Sequence, residues 1–172
     1  MVEPISWAKG GSNDKKQQLK HDSNEKNDLD SAFGRTVLRR TGNAQDAIFP
    51  KGQKGPAEFF TGNAYPYGLV QADSTYTTLA GNVYFEAGAR SHWHSHPAGQ
   101  LLIVIDGTGY HQIEGQPKEI ITKGDVVKFP PNTKHWHGAS KDEGMSHIYV
   151  IPNTEKGIVE WMEPVSDAQY NN

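Results

Sequence analysis

The 172-residue chain has no cysteine. That excludes disulfide staples, thiolate metal sites and a cysteine nucleophile. No apolar run approaches the length of a membrane span. The N-terminal stretch lacks the hydrophobic core of a secretory signal, so the cytoplasm is the expected compartment. Neither charge sign dominates: 17 basic residues face 20 acidic ones, for a net charge of −3. No Lys/Arg block stands out, so a nucleic-acid or membrane partner has no electrostatic footprint, and the expected partner is a small molecule.

The length fits one domain with a tail. Between Lys9 and Asp30 the only clearly apolar residues are Leu19 and Leu29, and five lysines offset five acids. Such a segment buries too little surface to offset its ordering entropy. Residues 1–44, with His21, therefore read as a flexible or weakly structured arm, and 45–172 as the folded domain. From Pro66 onward, turn residues separate short apolar stretches at 67–71, 78–86, 90–96, 100–105, 109–114, 118–121, 125–129, 134–139, 146–151 and 158–162. That punctuation predicts an all-β sandwich or jelly roll. Leu101 to Ile105 is apolar on both faces, which predicts a central strand covered on both sides. A short helix fits near Val165 to Gln169, and Phe59-Phe60 reads as a core anchor.

One constellation carries chemistry. Gly88 is followed after five residues by His94-x-His96, after three more by Gln100, and after six more by Gly107. Gly124 is followed after five residues by Pro130-Pro131-Asn132 and, two further on, by His135. Side chains alternate along a strand, so His94 and His96 share a face while Trp93 takes the other. Pro97 and Gly99 interrupt the ladder, so a turn must aim Gln100. Neutral imidazole binds most first-row divalent metals, and a Gln amide adds one hard oxygen donor. Three imidazoles and an amide cancel none of a dication's charge, which favours an anionic oxygen in any open position.

These two elements resemble the paired motifs of the cupin superfamily, with Gln100 where that family usually has Glu, Asn132 in place of a turn Gly, and Ala139 in place of a terminal Asn. The stretches Phe85-Glu86-Ala87-Gly88-Ala89-Arg90, Trp93-His94-Ser95-His96-Pro97, Gly99-Gln100, Gly124-Asp125-Val126-Val127, Lys134-His135-Trp136-His137-Gly138 and Trp161-Met162-Glu163 are similar to small single-domain bacterial cupins that include manganese-dependent hydroxynitrile lyases. The resemblance runs from about Ile48 to Tyr170. It implies a cupin-type double-stranded β-helix, a jelly-roll barrel, with one divalent transition metal on His94, His96, Gln100 and His135. It favours manganese; iron, nickel, cobalt, zinc and copper stay open. It also implies a homodimer or higher homo-oligomer.

The same resemblance places His147 near the metal as a base or hydrogen-bonding group. His137, two residues after His135, reads as a pocket-lining partner, with ligation as its rival. His92 is expected at the surface of the barrel rim, and His111 on a strand face. Arg90 is either an anion-steering group at the mouth or half of a surface salt bridge. Val83, Leu102 and Val104 are candidates for the pocket wall, and Trp93 and Trp136 for packing behind it or at a subunit contact. The implied function is Lewis-acid lyase chemistry on a hydroxy or carbonyl compound. A quercetinase-type dioxygenase and a non-catalytic metal-containing binding module stand as alternatives.

Overall fold

The computed structural model describes residues 47–172, so the expected arm and His21 lie outside the described residues. The elements are β1 (Phe60–Thr61), β2 (Ala64–Val70), β3 (Leu79–Phe85), β4 (Arg90–Ser91), β5 (His94–Ser95), β6 (Gln100–Ile113), β7 (Glu119–Thr122), β8 (Val126–Phe129), β9 (His135–Ala139), β10 (Met145–Ile151), β11 (Glu160–Trp161) and one short helix, α1 (Asp167–Asn171). Two antiparallel sheets share β6, and together they form a jelly-roll barrel. The N-terminal half of β6 lies between β8 and β10 in a sheet that continues to β3 and β2. Its C-terminal half lies between β7 and β9 in the other sheet, which also holds β1, β4, β5 and β11. The sequence reads this strand as two, because Asp106-Gly107 carries a turn signature. The barrel uses those residues instead to carry one 14-residue strand from sheet to sheet.

Alternation along β6 sets the inside of the barrel. Gln100, Leu102 and Val104 are buried, whereas Leu101 and Ile103 are each 37% exposed. The expectation that this strand is covered on both faces therefore fails, because no second layer covers its outer face among the described residues. Phe60, Val83, Phe85, Val104, Ile121 and Met145 form the main core. Trp93 and Trp136 pack with Val165 and Tyr170 on the far side of the histidine-bearing strands, as their parity requires.

Arg90 does not steer anions. It is buried, and its Nε and Nη2 donate to the Val165 carbonyl at 3.2 and 2.9 Å. Nη2 also donates to Asp167 Oδ1 at 2.6 Å, and the guanidinium lies 4.5 Å from the centre of the Tyr170 ring. The Tyr170 hydroxyl in turn donates to the Ala139 carbonyl at 2.7 Å. One side chain thus ties α1 to the sheet that bears His135. Arg90→Ala strands a buried carbonyl and is expected to destabilise the fold by about 3 kcal/mol. Asp167→Ala, at an exposed carboxylate, should cost less than about 1 kcal/mol. Urea denaturation of both variants checks the contrast; equal losses would contradict it.

Candidate metal centre

The register of short strands brings the histidines together. β5 pairs with β9 so that His94 stands directly opposite His135. Gly99 has φ +82°, and a Cβ there would fall 2.6 Å from the Phe129 carbonyl. Only glycine permits this turn, and the turn delivers Gln100 into the barrel at the start of β6. The rings of His94 and His135 lie 4.3 Å apart, those of His94 and His96 5.1 Å, and those of His96 and His135 5.7 Å. Phe129 stacks on the His135 ring at 3.6 Å and fixes its plane.

Hydrogen bonds sort these rings. His94 Nδ1 meets the His92 carbonyl at 2.9 Å, His96 Nδ1 the Ile158 carbonyl at 2.5 Å, and His135 Nδ1 the Thr133 carbonyl at 2.8 Å. A carbonyl only accepts, so each Nδ1 carries the proton and each Nε2 keeps a lone pair. His96 Nε2 is buried with no partner among the described residues. His135 Nε2 faces Gln100 Oε1 at 3.1 Å. A neutral imidazole has one N–H, yet His135 touches two acceptors, the Thr133 carbonyl and Gln100 Oε1. With its Nδ1 protonated, His135 turns an Nε2 lone pair toward the Gln100 amide, which meets it either through Oε1 as placed or, with the amide turned over, through its NH2. A cation shared by Nε2 and Oε1 would satisfy both, and His96 Nε2, buried without a partner among the described residues, is open to the same role, although His96 lies outside the tight nitrogen group of His94, His135 and His137. The residues fit a divalent metal.

His137 belongs to a different pattern. One nitrogen from each of His94, His135 and His137 lies within 4.8 Å of the others, so proximity alone groups it with the cluster. Its Nδ1, however, faces His147 Nε2 at 3.2 Å instead of a carbonyl. Its Nε2 and His147 Nδ1 are both buried without partners among the described residues. His147 projects inward from β10 opposite Val83 and Val104.

The Cupin domain family matches residues 81–152. An (R)-mandelonitrile lyase from Granulicella tundricola is 46% identical over 117 residues, which span 68% of this chain and 89% of that relative. The chain belongs to the cupin family. A solved cupin-like protein from Thermotoga maritima superposes with a TM-score of 0.71 at 47% identity, over 73% of this chain and 96% of that one. The DMSP lyase DddQ of Ruegeria pomeroyi, at 21% identity and a TM-score of 0.52 over 63% and 54% of the two chains, shares the fold.

In this cupin His94, His96, His137 and His147, but not His135, line a cavity of about 100 Å³. Its polar end holds His94, His96, Gln100, His137 and His147; the rest of the wall is largely apolar, from Phe59, Phe60, Leu79, Val83, Tyr149 and Trp161. Phe59 and Phe60, expected as a core anchor, also line the cavity. Of Val83, Leu102 and Val104, the candidates for its wall, only Val83 lines it. Trp161, stacked on Phe59 at 4.7 Å and packed against His94 at 4.9 Å, and Tyr149 were both missed. Tyr149 shares its face of β10 with His147, a signal present in the sequence. His92 is buried, not exposed: its ring meets the Glu58 backbone, its N–H donates to the Phe59 carbonyl at 2.8 Å, and its carbonyl meets His94 Nδ1. His111 is also buried, edge-on to Phe129. Asp125 closes its turn by accepting from the Thr122 N–H at 2.7 Å.

Burial holds every histidine of the cluster neutral. Desolvation lowers His96 to about 4, with the Ile158 carbonyl opposing it, and His135 to about 3, with Thr133 opposing it. His147 falls to about 4 by desolvation, and His94 and His137 fall well below the ordinary range for the same reason. Burial also raises the Tyr149 phenol, which stays protonated. Because the folded-state values lie below the unfolded value of about 6.5, the unfolded chain takes up protons first as the pH falls. Stability of the metal-free protein is therefore full above about pH 6.5 and is lost as pH drops toward 4. A urea midpoint that declines from pH 7 to 4.5 is the expected result, and a flat one would contradict it.

Proposed function

We propose that this cupin is a metal-dependent lyase acting by Lewis-acid chemistry on a small hydroxy or carbonyl compound, with a cyanohydrin as the substrate class. His94, His96, Gln100 and His135 are the proposed ligands and manganese the favoured metal. The observation that carries the reading is the convergence of His135 Nε2 on the Gln100 amide at 3.1 Å, with His96 Nε2 buried and without a partner among the described residues. The 46% identity to a mandelonitrile lyase supports the reaction class.

When bound, the divalent metal supplies polarisation of a substrate oxygen. The protein's residues do the rest. The aromatic and aliphatic wall takes up the organic body and excludes water. His147 is neutral, and its Nδ1, buried without a geometric hydrogen-bond partner among the described residues, is the proposed acceptor of the substrate hydroxyl proton. As the carbonyl forms, the carbon–carbon bond to the nitrile breaks and its electron pair leaves with cyanide. The proton held by His147 then passes to cyanide, giving hydrogen cyanide and an aldehyde or ketone. His137 braces His147 through the contact between Nδ1 and Nε2, fixing its ring orientation. Protein reconstituted with manganese should cleave mandelonitrile above the rate of metal-stripped protein. Equal rates with and without metal would remove the reading.

A further inference from the structure

Tyr149 projects into the barrel two residues after His147 and stands opposite Gly81 on β3 and Leu102 on β6. Its ring lies across the bare Cα of Gly81. A Cβ added at Gly81 would fall 2.4 Å from the Tyr149 hydroxyl oxygen and 2.6 Å from Cζ. Gly81 has no left-handed backbone to accommodate, so what this position supplies is space. With any larger residue there, the ring must shift from this seat. The hydroxyl makes no hydrogen bond among the described residues, whereas the Tyr170 hydroxyl holds a carbonyl and the Tyr65 hydroxyl a carboxylate. It thus adds an unpaired donor to an otherwise apolar stretch of wall. The Trp161 indole N–H, also unpaired, sits on the β11 side against His94.

We propose that Tyr149, seated on Gly81, is the specificity-determining residue of the cavity. Its ring sets the width available to an apolar ligand body, and its hydroxyl donates to an acceptor on the bound molecule. The favoured ligands are small aromatic or aliphatic compounds carrying a nitrile, carbonyl or hydroxyl acceptor beside the group that faces the histidines. The inference rests on this cavity being the substrate pocket, and not on the lyase reaction itself.

Isothermal titration of the full chain with phenylacetonitrile and with toluene tests it. Neither probe has a hydroxyl to deprotonate, so a failure to cleave mandelonitrile would leave the outcome standing. Tyr149→Phe should weaken phenylacetonitrile about 5-fold, the loss of one neutral hydrogen bond, and leave toluene unchanged. Gly81→Ala should weaken both probes about 10-fold or more as the ring is displaced. Adding Tyr149→Ala to that variant should restore toluene binding. Unchanged phenylacetonitrile affinity in Tyr149→Phe, unchanged toluene affinity in Gly81→Ala, or no binding of either probe to the wild-type chain would each overturn the proposal. If Gly81→Ala does not fold, the conservative Tyr149→Phe comparison decides alone.

Discussion

Replacing His147 with alanine is expected to lower metal-dependent mandelonitrile cleavage by about 10²–10⁴-fold, the range for loss of a positioned general base. Metal content should stay at the wild-type level. The separation follows from the hydrogen bonds: His147 Nε2 is committed to His137, not to the Gln100–His135 pair, so its removal leaves the proposed ligands in place. Steady-state kinetics alongside elemental analysis of the same samples reads both quantities. Wild-type turnover in the variant would remove His147 from the mechanism. Loss of metal together with activity would instead make it part of the metal's support.

The second large effect concerns the centre. His135→Ala should weaken divalent-metal binding by more than about 100-fold, since removing only the group behind a ligand already costs 10- to 100-fold. It should also abolish the metal-dependent fraction of activity. The pH-dependent loss of stability should become shallower in metal-free His135→Ala, because one buried neutral imidazole no longer resists protonation. Competition titration with a chelator measures the first effect, and urea midpoints at pH 7 and 4.5 the last. Retained affinity in this variant would place the metal elsewhere.

Much of this architecture was legible in the residues themselves. Alternation put His94 and His96 on one face, and the glycine before Gln100 announced the turn that aims it. Asn132, which stands where the resemblance has a turn Gly, has φ 59°. Parity turns Trp93 and Trp136 away from the histidines, and they pack there with Val165 and Tyr170. What was not legible depends on partners distant in the chain. The Ile158 carbonyl that orients His96 lies 62 residues away on an irregular segment, and no local pattern marks it. Arg90 reads as a surface charge until the C-terminal carbonyl of Val165 folds onto it. His92 reads as exposed because its role is carried by its backbone. The outer face of β6 misled for a related reason: apolar residues on both faces say what a strand could bury, not what the fold supplies to cover it.

The account stands on one cation shared by four donors from β5, β6, β9 and the turn after β5. Anomalous diffraction at the manganese edge, from crystals of the manganese-loaded protein, tests this most directly. The account predicts a single peak within about 2.5 Å of Nε2 of His94, His96 and His135 and of Oε1 of Gln100. No peak in the barrel, or a peak held by His137 in place of His96 or Gln100, would contradict it.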